Sequence, residues 1–231
     1  MQPDVSRIQI WGGVECTHNR VRDLYFDQLD LSGHRRRLSD LELFASLGIE
    51  GFRFGMLWER DDCPACRQWT DAALKHLVAL RIRPIAGLLH HGSGPPHTSL
   101  LDPALPEKLA RYAGSVAKRY PFLDAYTPVN EPHTTARFSA YYGIWYPHHQ
   151  SRASFLRALL LQMKATVLSM RAIRRVRPDA QLIQTEDAGT ITGTPELRPV
   201  WELLSLRRWL TFDLLCGRVD RHHPVFQYMA R

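Results

Sequence analysis

Apolar and polar positions along this chain repeat with two different periods, and stretches of the two kinds alternate. Runs that are continuously apolar, or that alternate every second residue, predict strands over residues 8–15, 49–59, 83–91, 124–130 and 180–185. Longer amphipathic runs predict helices over 38–47, 69–80, 106–119, 155–176 and 201–216. Ser39-Asp40-Leu41-Glu42 reads as a capping box for the first helix, with Leu38, Leu41, Leu43, Phe44 and Leu47 as its apolar residues and Gly48 as its stop. Thr70 is the expected cap of the second. The helix over 155–176 carries Leu156, Leu159, Leu160, Met163, Val167, Met170 and Ile173 on one stripe, the spacing of core packing. Two stretches follow neither period: a polar one up to Arg37 and an aromatic one over 133–147.

Strand and helix thus alternate five times, which argues for parallel βαβ units. Polar residues collect at the C-terminal ends of the strands: Glu15, Arg53, His91, Asn130 with Glu131, and Glu186. Such a collection argues for a barrel rather than an open sheet. No G-x-G-x-x-G follows the first strand, which disfavours a dinucleotide fold. The expected class is therefore α/β, of the (β/α)₈ barrel type. A complete barrel typically takes about 250 residues, and this chain has 231. It is expected to form one domain over 1–231 with about the first five βα units.

The sequence is 45% hydrophobic and 23% charged, an ordinary globular balance. No stretch approaches the length of a membrane span, and Met1-Gln2-Pro3-Asp4 has neither a basic region nor an apolar one, so the reading is cytoplasmic. The formal charge is +7, and all but four of the 30 basic residues are arginine. These arginines form no stripe interleaved with stacking aromatics, so nucleic acid is not an expected partner. Cys63-Pro64-Ala65-Cys66 has C-x-x-C spacing, but no second pair completes a zinc site. Its redox version expects a βαβ context, and the pair reads as two loop cysteines. His90-His91 invites a metal, with His97, His148 and His149 as further ligands, yet adjacent strand residues point to opposite faces and no H-E-x-x-H is present. Neither metal nor cofactor is expected.

The chemistry centres on residues 124–132. A short strand delivers Asn130-Glu131 to its end, where Pro132 cannot extend the ladder. A carboxylic acid beside a side-chain amide at a strand mouth is the equipment of a glycosidase general acid, although the same pair could simply cap the next helix. Arg53 stands among aromatics; if buried it needs an anionic partner, and otherwise it snorkels to the surface. Phe138, Tyr141, Tyr142, Trp145 and Tyr146 could stack on sugar faces or pack on a rim.

Thr127-Pro128-Val129-Asn130-Glu131-Pro132 closely resembles the T-x-N-E-P signature on the fourth barrel strand of family 1 glycoside hydrolases. Gly51-Phe52-Arg53-Phe54 through Trp58 resembles that family's Y-R-F-S-x-x-W strand, and Trp11-Gly12 its W-G opening. The resemblance implies Glu131 as general acid/base, Asn130 as donor to the sugar 2-hydroxyl, and Arg53 as contact of the nucleophilic carboxylate. It also implies His91 as a sugar ligand, and Asn19 near the place of a sugar-binding glutamine. Gly92 and Ser93 depart from the family's tryptophan and aspartate, and Gly143-Ile144-Trp145-Tyr146-Pro147 lacks its usual Ala-Pro-Gly. The family's nucleophile lies in a T-E-N-G motif on the seventh strand, and this chain has none. Glu186 is the leading candidate for a second carboxylate at the site, or else serves a helix N-terminus. The expected function is thus a glycoside hydrolase-like domain acting on or binding O-glycosides, with small-molecule carbohydrate as partner and a C-terminal domain or second chain completing the barrel. The alternative is a non-catalytic sugar-binding or scaffolding module. Similar modules also occur, as the resemblance implies, in front of sugar-nucleotide reductase-like domains.

Overall fold

The computed structural model describes residues 8–226. Strand β1 (Trp11–Gly13) leads into a hairpin of β2 (His18–Val21) and β3 (Leu24–Asp27), then helices α1 (Gln28–Leu31) and α2 (Asp40–Ser46). Next come β4 (Gly51–Gly55), α3 (Pro64–Ala79), β5 (Arg83–His90), α4 (Leu105–Arg119) and β6 (Ala125–Asn130). The chain continues through α5 (Pro132–Ala136), α6 (Arg152–Arg174), β7 (Gln181–Leu182), α7 (Arg198–Arg208) and α8 (Leu210–Leu215). No helix among the described residues is long and apolar enough to cross a membrane.

The five strands expected from the sequence form one parallel sheet in the order β1-β4-β5-β6-β7, while β2 and β3 pair only with each other. Consecutive parallel neighbours joined by helices are the incomplete barrel that was expected. Register fixes what meets at the rim, since Arg53 lies beside Ile85 and His90 beside Asn130. The central strands β5 and β6 are buried on both faces, which is why β5 reads as a nearly unbroken apolar run. On the helix side, Phe52, Phe54, Leu88 and Tyr126 pack against Leu77, Leu109, Leu159 and Ile173 in one cluster. On the other side the chain after β7 folds inward: Thr127 Oγ1 donates to the Ile183 carbonyl (2.7 Å) and Gln184 Nε2 to that of Val129 (3.1 Å).

Several local expectations are corrected. The capping box does not form; Ser39 is helical and makes no side-chain cap, because the 3₁₀ turn His34–Arg36 already leads the chain into α2. Leu43 and Leu47 on that helix are exposed. Helix α3 begins at Pro64, with Cys63 as its N-cap, and Thr70 sits inside the helix with its hydroxyl on the Cys66 carbonyl. Pro at the first helical position has the φ a helix needs and no N–H to leave unpaired. Cys63 and Cys66 are therefore not loop cysteines but a disulfide across the first turn of α3. Residues 133–147 begin with α5 and the π-helical turn Arg137–Tyr141 rather than with a loop. The final helix is broken at Trp209 into α7 and α8.

Helix α6 packs along α4 with Leu159 and Met163 inward, whereas Leu160 and Val167, expected on the same stripe, are 44% and 40% exposed. The true stripe is narrower than the apolar composition suggests. Leu159→Ala should cost about 2–5 kcal/mol, the loss of a fully buried side chain plus the void it leaves. Leu160→Ala should cost less than about 1 kcal/mol. Denaturant midpoints of the two variants check the distinction.

Candidate active site

The C-terminal ends of β4, β5 and β6 converge on the Asn130 side chain, which is 1% exposed. Its Oδ1 accepts from Arg53 Nη1 and from Thr185 Oγ1 (2.9 Å), and Arg53 Nη1 also donates to Thr185 Oγ1 (3.0 Å). Its Nδ2 donates to His91 Nε2 (3.0 Å). The His91 ring then donates from Nδ1 to Thr135 Oγ1 (2.9 Å), whose hydroxyl donates to the Asn130 carbonyl (3.2 Å). Every step requires a neutral His91, and burial pushes its imidazole down to about 4, with the neighbouring His90 adding to the fall. The loop closes without a mismatched donor.

Glu131 follows directly. Its backbone takes φ 42° and ψ 62°, left-handed values that cost a non-glycine residue about 1–3 kcal/mol. His91 shares this conformation at φ 58°. Two adjacent strands thus end in the same unfavourable turn, which brings Glu131 Oε2 to 3.8 Å from His91 Nε2. Burial raises the Glu131 carboxyl above its ordinary value, the Glu186 charge raises it further, and Arg53 pulls the other way.

The other carboxylates at the rim are already engaged. Glu186 accepts from the backbone N–H groups of His133 (2.9 Å) and Thr134 (3.2 Å) at the start of α5, and from Thr211 Oγ1 (2.6 Å). It therefore serves a helix N-terminus, supplied from the next strand. Glu15 accepts from Thr17 N (2.7 Å) and Oγ1 (2.6 Å), and its Oε1 lies 3.3 Å from His90 Nε2; the His90 contact holds it well below the usual carboxylate range. Arg53, for which a carboxylate partner was expected, makes no ion pair among the described residues and is held by an amide and a hydroxyl instead.

Asn19 lies on β2, buried opposite Phe26, and makes no side-chain hydrogen bond among the described residues, so it does not join this network. His90 and His91 do not point apart: the left-handed turn at His91 brings the rings edge to face at 4.9 Å, both near Asn130 Nδ2. No group of three or more His, Cys, Asp or Glu among the described residues is arranged to hold a metal. Trp145 packs on His91 (5.3 Å) and on Phe138 (4.8 Å), while Tyr141 and Tyr142 stand exposed. Thr135 and Thr185 were not singled out by sequence reasoning. Thr185 precedes the noted Glu186 at a strand end, and Thr135 lies one helical turn beyond Glu131, but a threonine alone carries no signal.

Glu59, the last residue of the strand predicted over 49–59, stands apart from this network. Its carboxyl is enclosed beneath the turn after β5, with Oε1 accepting from Gly94 N (3.0 Å) and Oε2 unpaired. A Cβ at residue 92 would lie 1.9 Å from Glu59 Oε1 and 2.8 Å from the His18 carbonyl oxygen. The glycine that departs from the resembled pattern is therefore set by the carboxyl packed against it and by the His18 backbone behind.

The parallel strands thus bring an acid, an amide and an arginine bound to that amide to one end of an incomplete β/α barrel. Solved structures agree. The β-glucosidase of Thermotoga maritima in complex with azafagomine matches at TM-score 0.74 and 17% identity over 84% of this chain and 47% of that one. The psychrophilic β-glucosidase BglU of Micrococcus antarcticus matches at TM-score 0.72 and 15% identity, over 92% and 57%. The virulence factor SghA bound to its substrate analogue salicin matches at TM-score 0.67 and 21% identity, over 85% and 50%. The chain shares the fold of family 1 β-glucosidases and spans about half the length of the structures it matches. No protein-family model matches the sequence. No curated protein matches it either.

Burial raises the Glu59 carboxyl to about 7. The fold thus favours its neutral form, and this contribution to stability is full below about pH 4.5 and is lost as pH rises towards 7. Glu59→Gln keeps the neutral shape and should remove that loss, raising stability at pH 8 by up to about 3 kcal/mol while changing little at pH 4.5. Melting curves of both proteins at the two pH values check the sign.

Proposed function

We propose that this chain supplies the acid/base half of a β-glycosidase site, with Glu131 protonating the leaving oxygen of an O-glycoside. The observation that carries the reading is the environment of Glu131. It is half-buried at a strand end, raised by burial and by Glu186, and beside a neutral histidine. A general acid must hold its proton near neutral pH, and such surroundings favour that. Asn130, Arg53 and His91 are assigned to the sugar side of the site, Glu186 to positioning α5 beside Glu131, and Asn19, outside that network, to a sugar contact of its own. One Nδ2 hydrogen of Asn130 is committed to His91 Nε2, and a sugar 2-hydroxyl would take the other, on the side where His90 Nε2 lies at 3.4 Å.

Retention requires a nucleophile about 5–5.5 Å from the acid. Glu186 is bound by two backbone donors at the start of α5 and by Thr211 Oγ1 on α8, and no carboxylate touches Arg53 among the described residues. We assign the nucleophile to another domain or chain that would complete the sheet beyond β7 and present a carboxylate to Arg53. On the same proposal the protein works in the cytoplasm on a soluble glycoside, probed here with a β-glucoside. The same saturation of Glu186 and Glu15 favours a second reading, a sugar-binding module that does no hydrolysis.

A small anion can stand in for the missing carboxylate. Azide attacking the anomeric carbon forms a C–N bond as the C–O bond to the aryl group breaks, and Glu131 passes its proton to the departing oxygen. The isolated chain should turn over 4-nitrophenyl β-glucoside barely above background, and molar azide should raise the rate. With phenyl β-glucoside, whose more basic leaving oxygen needs the proton, Glu131→Gln should cut the azide-dependent rate by about 10²–10⁴-fold. The acid limb should fall away only above the pH range of an ordinary glutamate, because the Glu131 carboxyl is raised. Robust hydrolysis without azide, abolished by Glu131→Gln, would show a second carboxylate within this chain; glucose binding with no azide effect would favour the binding module.

A further inference from the structure

The C-x-x-C pair lies outside the candidate site, and its setting is one that thiol chemistry uses. Helix α3 is the crossover between parallel neighbours β4 and β5, so the pair opens the helix of a βαβ unit. Cys63 is the N-cap, half-buried, while Cys66 one turn in is 6% exposed. The Cys66 N–H donates to Cys63 Sγ (3.2 Å). In the reduced protein that N–H and the helix N-terminus would both stabilise negative charge on the outer sulfur, the condition for a nucleophilic thiolate. The inner sulfur is placed to resolve whatever the outer one captures.

What lies beside the pair bears on its reactant. A cavity of about 340 Å³ is lined by Cys66, Asp61, Arg35, Arg60 and Arg67 among others. Arg35 and Arg60 are within 4 Å of Asp27 or Asp30, but Arg67, exposed at the second turn of α3, makes no ion pair among the described residues. An exposed arginine with no ion pair among the described residues, next to the inner sulfur and a cavity of small-molecule size, can attract a thiol that carries carboxylates.

We propose that Cys63 and Cys66 form a thiol–disulfide exchange site for small carboxylate-bearing thiols, with Cys63 as the attacking sulfur. In the oxidising direction, the Cys63 thiolate attacks one sulfur of the small disulfide. A Cys63–S bond forms, the S–S bond breaks, and the departing thiolate takes a proton from water. Cys66 then gives up its proton and attacks Cys63 Sγ, which expels the second thiol. The protein dithiol is oxidised to the disulfide of the structure and the small disulfide is reduced to two thiols.

The test uses the full chain. After reduction, iodoacetamide at pH 7 should modify Cys63 about tenfold faster than the exposed free thiol Cys216, read by peptide mass. In Cys66→Ser nothing resolves the adduct, so oxidised glutathione should leave a persistent mixed disulfide on Cys63. Relative to a short cysteine peptide, it should form about fivefold faster than the adduct of cationic cystamine, and Arg67→Gln should remove that preference. Cys63 reacting no faster than Cys216 overturns the exchange site. A Cys63 that does not distinguish glutathione from cystamine overturns the proposed reactant.

Discussion

The rim is organised by one side chain that cannot be rotated without loss. Asn130 spends its oxygen on Arg53 and Thr185 and its nitrogen on His91, so flipping the amide would set a donor against Arg53 and an acceptor against a ring nitrogen that has no proton. A buried polar group left unpaired costs about 1–3 kcal/mol. The network therefore ties three parallel strands and the segment after the fourth to one orientation. Parallel register makes this possible, because it brings Arg53, His91 and Asn130 to the same end of the sheet at every crossover. The left-handed turns at His91 and Glu131 are affordable only where such neighbours overdetermine them.

Charge around the rim is arranged unevenly. Glu15 and Glu186 are both satisfied by short hydrogen bonds, whereas Glu131 has a histidine at 3.8 Å that burial keeps neutral. Three carboxyl groups in one region therefore divide by environment into two engaged by short hydrogen bonds and one acid with a raised pKa. Glu186 contributes twice: it anchors α5 behind Glu131, and its charge makes ionisation of Glu131 harder. This is the separation of roles that acid/base chemistry uses. Arg53 is the counterweight, and with no carboxylate of its own among the described residues it pulls on Glu131 from across the network.

Much of this was legible in the sequence because parallel strands buried on both faces announce themselves as apolar runs, and polar residues ending such runs have only the rim to go to. The β5 and β6 runs and Asn130-Glu131-Pro132 are of this kind. The hairpin His18–Asp27 was not legible: its turn passes through Arg22 at φ 55° rather than through Asn-Gly, and its residues are too polar to alternate clearly. The true start of α3 had a signal in Pro64, which was outweighed by reading the cysteines for metal or loop. Threonines such as Thr185 could not be found, because a hydroxyl's role depends wholly on which neighbours tertiary packing brings within reach. Leu160 and Val167 show the converse error, since apolar residues at helical spacing need not all face the core.

Gly92 and Glu59 show how a departure from a family pattern can be structural at its root. The two are coupled by space: the carboxyl occupies the volume that any side chain at residue 92 would need. Enlarging residue 92 without shrinking residue 59 would force a buried acid out of its hydrogen bond to Gly94, and shrinking residue 59 alone would leave a void beneath the turn that holds His91. Neither change is neutral by itself, so a chain that has acquired both would not readily lose one. The turn after β5 is thereby fixed by an enclosed acid rather than by an aromatic side chain. His91 still reaches Asn130 and Glu131, residue 92 offers no aromatic surface beside it, and the aromatic that packs on the His91 ring is Trp145, from the segment after β6.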